Sequence, residues 1–254
     1  MKCIDLNCDM GELPGMVADG SQTQLMRCIT SANVACGGHA GNEAMMRATI
    51  EQAMAAGVAV GAHPGYEDRG NFGRIALALA VEEIAGSVHR QIVALEKIAE
   101  SCGARLAHLK PHGALYIQAT RDRTIARAIA DGVARWRRDV VLVGLAGSVM
   151  LEEFRQAGFT VAEEAFADRR YESDGGLRSR KFADALLDTP EEAAAQALRI
   201  VQYGSVITAQ GEEVPLDAQT ICVHGDTPGA VEIAAAVRDA LRRAGVELKP
   251  LGGE

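Results

Sequence analysis

The sequence predicts an α/β chain folded as a (β/α) barrel of about seven parallel strands. Short β-branched or apolar runs alternate regularly with longer helical stretches, and the unusual polar residues gather where the short runs end. The length of 254 residues lies near the ~250 of a one-domain barrel and is ample for a sizeable core.

The strand-like runs cover about residues 3–8, 31–35, 58–62, 105–109, 139–144, 159–165 and 219–223. Between them lie stretches such as Asn42 to Ala56, Val81 to Ser101 and Thr227 to Arg243, with apolar residues recurring at three and four as a core-facing helix requires. Gly57, Gly103, Gly158 and Gly245 each stand just before the next strand, where a glycine ends a helix. Strict β then α order forces a mostly parallel sheet, and this many units suits closure better than a two-domain chain. A doubly wound open sheet is the alternative architecture. Residues 1–254 are therefore read as one domain with two excursions. A polar loop at about 167–182 (ADRRYESDGGLRSRKF) is too long for an idle connection and reads as an active-site loop. A small hairpin at about 205–216 turns at Gln210-Gly211 and reads as a decorative insertion.

Composition narrows the partners. Hydrophobic residues at 48% and charged residues at 24% describe a globular chain rather than a disordered one. A formal net charge of −8 repels a phosphate backbone and an anionic membrane alike, so neither nucleic acid nor lipid is expected as main partner. The start, Met1 to Asp5, has no apolar signal region, and the longest apolar runs, such as Val140 to Gly147, fall far short of the ~20 residues that cross a bilayer. A soluble cytoplasmic protein is the expectation. The cysteines Cys3, Cys8, Cys28, Cys36, Cys102 and Cys222 form no C-x-x-C pair and read as reduced core thiols. Cys36 stands beside Gly37-Gly38-His39, an imidazole that would activate a thiol, yet packing is the favoured reading.

The strand ends carry the chemistry. The first run leads into Asn7-Cys8-Asp9-Met10-Gly11-Glu12, the second into Cys36 to Gly41 around His39, and the third into His63-Pro64-Gly65-Tyr66. The fourth gives Lys110-Pro111-His112-Gly113, the sixth Glu163 to Arg170, and the last His224-Gly225-Asp226. In a barrel these C-terminal ends meet at one face, where active sites are built. A single His after a strand commonly serves only as a loop hydrogen-bonder. Four of the six on one face, His39, His63, His112 and His224, call for another reason. His89, mid-helix, reads as a surface residue, whereas His108 alternates with Leu106 and Lys110 and reads equally as barrel filler or as support for the site. Asp5, in the same inner layer, would need partners to offset its desolvation.

Asp9, His63 and His112 offer one carboxylate and two imidazoles, a set that suits a divalent metal or a general acid/base pair, and spacing does not choose between them. No H-E-x-x-H, P-loop or G-x-S-x-G pattern occurs, which weighs against zinc-peptidase, P-loop and serine-hydrolase chemistry. Arg74, Arg169, Arg178 and Arg180 lie in polar loops, where an arginine clamps a carboxylate or phosphate or simply faces solvent.

DLNCDMGE (Asp5–Glu12), SANVACGGHAGN (Ser31–Asn42), GAHPGY (Gly61–Tyr66), HLKPHGALY (His108–Tyr116), EEAFADRRY (Glu163–Tyr171) and CVHGD (Cys222–Asp226) together closely resemble the LamB/YcsF family, in matching order from about residue 5 to the C-terminal region. The resemblance implies a fold similar to the barrel of glycoside hydrolases and polysaccharide deacetylases. It also implies an ATP-dependent hydrolase that converts 5-oxo-L-proline to L-glutamate, working with separate B and C subunits. The match departs after His63. Tyr66 to Ile75 lacks the family's second proline and the last arginine of its GFGRR-like run, so only Arg74 is carried over there.

Within that frame the expected catalytic residues are Asp9, His39, His63, Lys110, His112 and His224. Asp9 with His63 or His112 would position water or a metal, Lys110 would offset charge growing on oxygen or phosphate, and His39 and His224 would carry protons. Asn7, Glu12, Arg74, Asp168, Arg169, Arg178 and Asp226 are the candidate substrate-binding residues. ATP and a divalent cation are the cofactors in view. Two rivals share the same face: a metal-dependent deacetylase or amide hydrolase that uses no ATP, and a non-catalytic subunit that binds a metabolite.

Overall fold

A computed structural model describes residues 2–252. Seven parallel strands close into a barrel: β1 (Cys3–Met10), β2 (Ser31–Ala35), β3 (Ala59–His63), β4 (Leu106–Leu109), β5 (Val141–Leu145), β6 (Thr160–Phe166) and, after a hairpin, β9 (Thr220–Val223). Closure comes from β1, which pairs with β2 on one side and β9 on the other, Asn7 lying opposite Ser31 and Cys222. The open-sheet alternative is thereby set aside. The hairpin is β7 (Ser205–Ile207) with β8 (Glu213–Pro215), and a two-residue β10 (Glu247–Leu248) extends the sheet beside the start of β1. β10 is too short to show any period in sequence.

The helices pack outside the barrel: α1 (Pro14–Ala18), α2 (Ser21–Met26), α3 (Glu43–Ala56), α4 (Val81–Ser101), α5 (Gly113–Ala119), α6 (Arg123–Ala134), α7 (Val149–Gln156), α8 (Pro190–Tyr203) and α9 (Ala230–Arg243). The strand and helix limits fall within three residues of the sequence reading. The largest shift is at α9, where Gly229 in a left-handed conformation takes the N-cap and Thr227 and Pro228 stay in the preceding turn. Gly57, Gly103, Gly158 and Gly245 all adopt the left-handed φ that ends a helix without a Cβ penalty. No described helix is long and apolar enough to cross a membrane.

The two faces of the barrel wall differ sharply. On β1, Ile4, Leu6, Cys8 and Met10 join the apolar layer under the helices, while Asp5, Asn7 and Asp9 alternate with them and meet the polar interior. The same parity places Ser31 and Asn33 on β2, His63 on β3, His108 on β4, Glu164 on β6 and Thr220 on β9 in the interior network. Most (β/α) barrels fill this space with branched aliphatics. Here it is filled by hydrogen-bonded polar side chains, and each must be satisfied or cost about 1–3 kcal/mol. Asp5 is paired as the sequence demanded, accepting from Thr30 (2.7 Å), Ser31 (2.6 Å) and Thr220. Burial still pushes its carboxyl up to about 6. His108 donates from Nε2 to Asn33 Oδ1 at 2.9 Å, and Gly61 makes room for it: a Cβ there would lie 2.2 Å from that nitrogen. His89, read as a surface residue, is instead half-buried along α4.

Candidate active site

At the C-terminal mouth, four strand ends deliver three imidazoles and one carboxylate to one point. Glu12 follows β1, His39 follows β2, His63 ends β3 and His112 follows β4 as N-cap of α5. One ligand-capable atom from each lies within 4.8 Å of the other three. His63 Nε2 stands 3.0 Å from His112 Nδ1 and 3.3 Å from Asp9 Oδ2, and His112 Nδ1 is 3.1 Å from Glu12 Oε1.

The backbone sets which nitrogens face this centre. His63 Nδ1 donates to the Lys110 carbonyl at 2.7 Å and His112 Nε2 donates to the Phe72 carbonyl at 2.9 Å. The other nitrogen of each ring therefore turns its lone pair inward. Phe72 holds its carbonyl there by adopting a left-handed backbone (φ 55°), uncommon for a bulky residue and found where surrounding structure imposes it. Gly73 is required beside it, since a Cβ would sit 2.7 Å from His39 Cβ. His39 stacks flat on His112, with ring centroids 3.6 Å apart, and donates from Nε2 to Glu12 Oε1 at 2.8 Å.

Inward lone pairs on His63, His112, Glu12 and Asp9 repel one another unless a positive charge lies among them. A shared proton supplies one answer, and a divalent cation the other. The donor set fits a cation: imidazole and carboxylate suit zinc and its first-row neighbours, and ~2.0–2.1 Å bonds to a tetrahedral ion separate its ligands by roughly 3.3 Å. Fixing each ligand's outer nitrogen on a carbonyl is also how metal-bound histidines are oriented.

Burial pushes the Asp9 carboxyl up, but the His63 and Lys110 charges more than reverse this and hold it well below the carboxylate range. Glu12 is likewise lowered: burial opposes its charge, and the close approach of His112 and His39 outweighs that. Burial disfavours the His63 cation, yet Asp9 raises its pKa above the ordinary value. His39 is driven down to about 4 by burial, only partly offset by Glu12, and is neutral at pH 7.

Lys110 sits one layer deeper. Its ammonium donates to Glu164 (2.8 Å), Asp9 (3.1 Å) and Asn7 (3.3 Å), with Cys222 Sγ at 3.0 Å. Asn7 is spent on this network, bonding Glu164, Thr220 and Asn33 as well. Glu164 is fully buried and also accepts from Tyr116 at 2.8 Å. Sequence reasoning misses it as a site residue because Glu163 and Glu164 are adjacent, and only strand parity separates the outward one from the inward one.

On the opposite rim, Asp168 accepts from both the backbone N–H (2.8 Å) and Nδ1 (2.9 Å) of His224, whose ring stacks on Phe166. Nδ1 is thereby fixed as donor and Nε2 is left to act. The polar loop is pinned at its root, with Gln196 donating to the Phe166 and Arg169 carbonyls and buried Tyr171 accepting from the Phe166 N–H. Arg169 is buried and donates to the Arg178 carbonyl. The Arg178 guanidinium is engaged within its own loop by Glu172 and Asp184, so it holds the loop rather than reaching the mouth. Arg74 meets Asp226 at the rim. Cys36 is a packed thiol: burial pushes it up to about 12, and its sulfur accepts from the His63 N–H.

Residues 4–254 match the LamB/YcsF family. The chain belongs to that family. A relative from Chloroflexus aggregans, named as the A-type subunit of 5-oxoprolinase, is 49% identical over 249 residues, covering 98% of this chain and 99% of its own length. Among solved structures, a lactam utilization protein from Thermus thermophilus superposes with a TM-score of 0.91 at 45% identity, covering 98% of this chain and 99% of that one. A family 4 carbohydrate esterase from Streptomyces lividans, at TM-score 0.53 and 11% identity over 97% of this chain and 91% of its own, shares the barrel fold. Within this LamB/YcsF chain, the family segments hold Asp9, Glu12, His39, His63 and His112 at the centre, Lys110 beneath it, and Asp168 and His224 on the opposite rim.

Proposed function

We propose that this chain is the A-type component of a cytoplasmic, ATP-dependent 5-oxoprolinase that acts with B and C subunits to open 5-oxo-L-proline to L-glutamate. The 49% identity, over nearly the whole length of both chains, to a relative named as a 5-oxoprolinase A subunit carries the reading. The buried imidazole and carboxylate centre at the barrel mouth supports a hydrolytic role.

A lactam is a poor electrophile because its nitrogen feeds electrons into the carbonyl. Transfer of the γ-phosphoryl group of ATP to the lactam oxygen forms a P–O bond, releases ADP and makes the ring carbon electrophilic. Water then adds to that carbon, the ring nitrogen takes a proton as its C–N bond breaks, and a second water splits the acyl phosphate to glutamate and phosphate. In this scheme Asp9, with the inward nitrogens of His63 and His112, orients the attacking water and takes its proton. Lys110 holds Asp9 ionised and lends positive charge to the carbonyl oxygen. His224, fixed by Asp168, gives the proton to the departing nitrogen, and His39 keeps Glu12 aimed at the centre. Arg74 meets the substrate at the rim, where Asp226 holds it in place until the substrate enters, while Asn7, Arg169 and Arg178 support the network and the loop from behind. A divalent cation held by Glu12, His63 and His112 would supply Lewis-acid charge at this place.

The test is glutamate release from 5-oxo-L-proline by the chain alone and with B and C subunits, each with and without ATP. Glutamate formed only with partners and ATP is the expected result. Release without ATP would replace the scheme with direct amide hydrolysis, and no release under any combination of folded components would remove the substrate assignment.

A further inference from the structure

One carboxylate ties three loops together above the centre. Asp226, after β9, is bonded by Arg74 from the loop after β3 and approached at 3.6 Å by Arg180 from the polar loop after β6. Asp226 also lines, with Asp9 and Glu12, a cavity of only about 10 Å³, room for roughly one water. A five-membered lactam is larger than that space. Arg74 is coupled to the centre beneath, since its guanidinium lies 4.9 Å over the Phe72 ring, which in turn packs against His39 and His112. The rim therefore carries two guanidinium groups on one internal carboxylate, with buried Arg169, its Nε unbonded, behind them.

We infer that Asp226 stands in the place of the substrate's own carboxylate, and that Arg74 and Arg180 are the pair that recognises that group. The inference rests on the lactam reading above. Exchange of one carboxylate for another leaves the charge at the two arginines unchanged, so entry need not strand an unpaired guanidinium. A phosphoryl group, carrying more charge than the carboxylate it displaced, would not be a like-for-like replacement. The released Asp226 frees three loops at once, and recognition of the carboxylate is thereby linked to opening of the mouth.

The experiment is calorimetric binding to the full-length chain of four probes: 5-oxo-L-proline, the uncharged lactam 2-pyrrolidinone, the non-lactam cyclopentanecarboxylate and inorganic phosphate. It compares wild type with Asp226→Asn and Arg180→Ala. Loss of the internal competitor in Asp226→Asn is expected to tighten both carboxylates by roughly two- to fivefold, the span of surface ion-pair energies, and to move 2-pyrrolidinone by less. Arg180→Ala is expected to weaken both carboxylates and again to move the neutral lactam by less. Equal or weaker carboxylate binding by Asp226→Asn, an equal gain for 2-pyrrolidinone, a gain confined to phosphate, or no carboxylate binding by any variant would each overturn the exchange. If cyclopentanecarboxylate shows the expected pattern and neither lactam binds, the exchange stands and the lactam assignment falls.

Discussion

Removing the buried ammonium by Lys110→Met tests how the polar interior of the barrel is held together. Lys110 and Glu164 have side chains 3% and 0% exposed and meet at 2.8 Å, so water cannot replace either partner. Burial pushes the ammonium toward neutrality, and the charges of Asp9 and Glu164 more than reverse it, holding its pKa well above the ordinary value. Methionine fills nearly the same volume, which leaves the Glu164 carboxylate supported only by Tyr116 and Asn7 and the Asp9 carboxylate without its lysine. Breaking one side of a buried pair costs about 3–5 kcal/mol. For a chain of this size each kcal/mol moves the melting temperature by about 2–4 °C, so the variant should melt about 6–20 °C lower by calorimetry. Neutralising the stranded partner in Lys110→Met/Glu164→Gln should recover about 1–3 kcal/mol, as coupling between contacting residues does. A single variant within about 1 kcal/mol of wild type, or strictly additive effects in the double, would refute the reasoning.

Other measurements bear on the interior and on the centre. Because the Asp5 carboxyl is raised from 3.8 to about 6, its protonated form is favoured by folding; that contribution is whole below pH 3.8 and is lost as pH rises through 6. Asp5→Asn should therefore gain on the order of 1–3 kcal/mol over wild type at pH 7 in urea unfolding and gain nothing at pH 4; a pH-independent difference would contradict the sign. Chelator-treated chain titrated with zinc or manganese should gain about 2.7 kcal/mol at a hundredfold excess over Kd, a rise of about 5–11 °C in melting temperature that His63→Ala and Glu12→Gln abolish. No shift with either ion would assign the centre a shared proton instead.

The fold is legible where strands carry their own punctuation: helix-ending Gly57, Gly103 and Gly158 stand before β3, β4 and β6, and polar clusters follow β1, β2, β3, β4, β6 and β9. Val81 to Ser101 reads as a helix to the residue, its apolar positions spaced for one buried face. Strand ends such as Asp9, His63 and His112 are visible for the same reason, since barrel geometry sends every strand's C-terminus to one face. Side-chain direction beyond the strand is not visible. Sequence alone groups Glu12 with substrate contacts, yet the left-handed turn at Gly11 brings it back among His39, His63 and His112, and Asp9 divides its oxygens between His63 and Lys110. Nor does sequence spacing show that Arg178 finds its acids within six residues of itself, or that Phe72 lends a carbonyl to His112.

Turnover of the B- and C-supplemented protein carrying His112→Ala bears most directly on the claim that the buried centre opens the ring. Glutamate release should fall by ~10²–10⁴, the span of a lost acid–base group, while the protein stays folded at the assay temperature and still forms the complex. Full turnover by a folded, assembled His112→Ala protein would contradict the placement of the chemistry at this mouth.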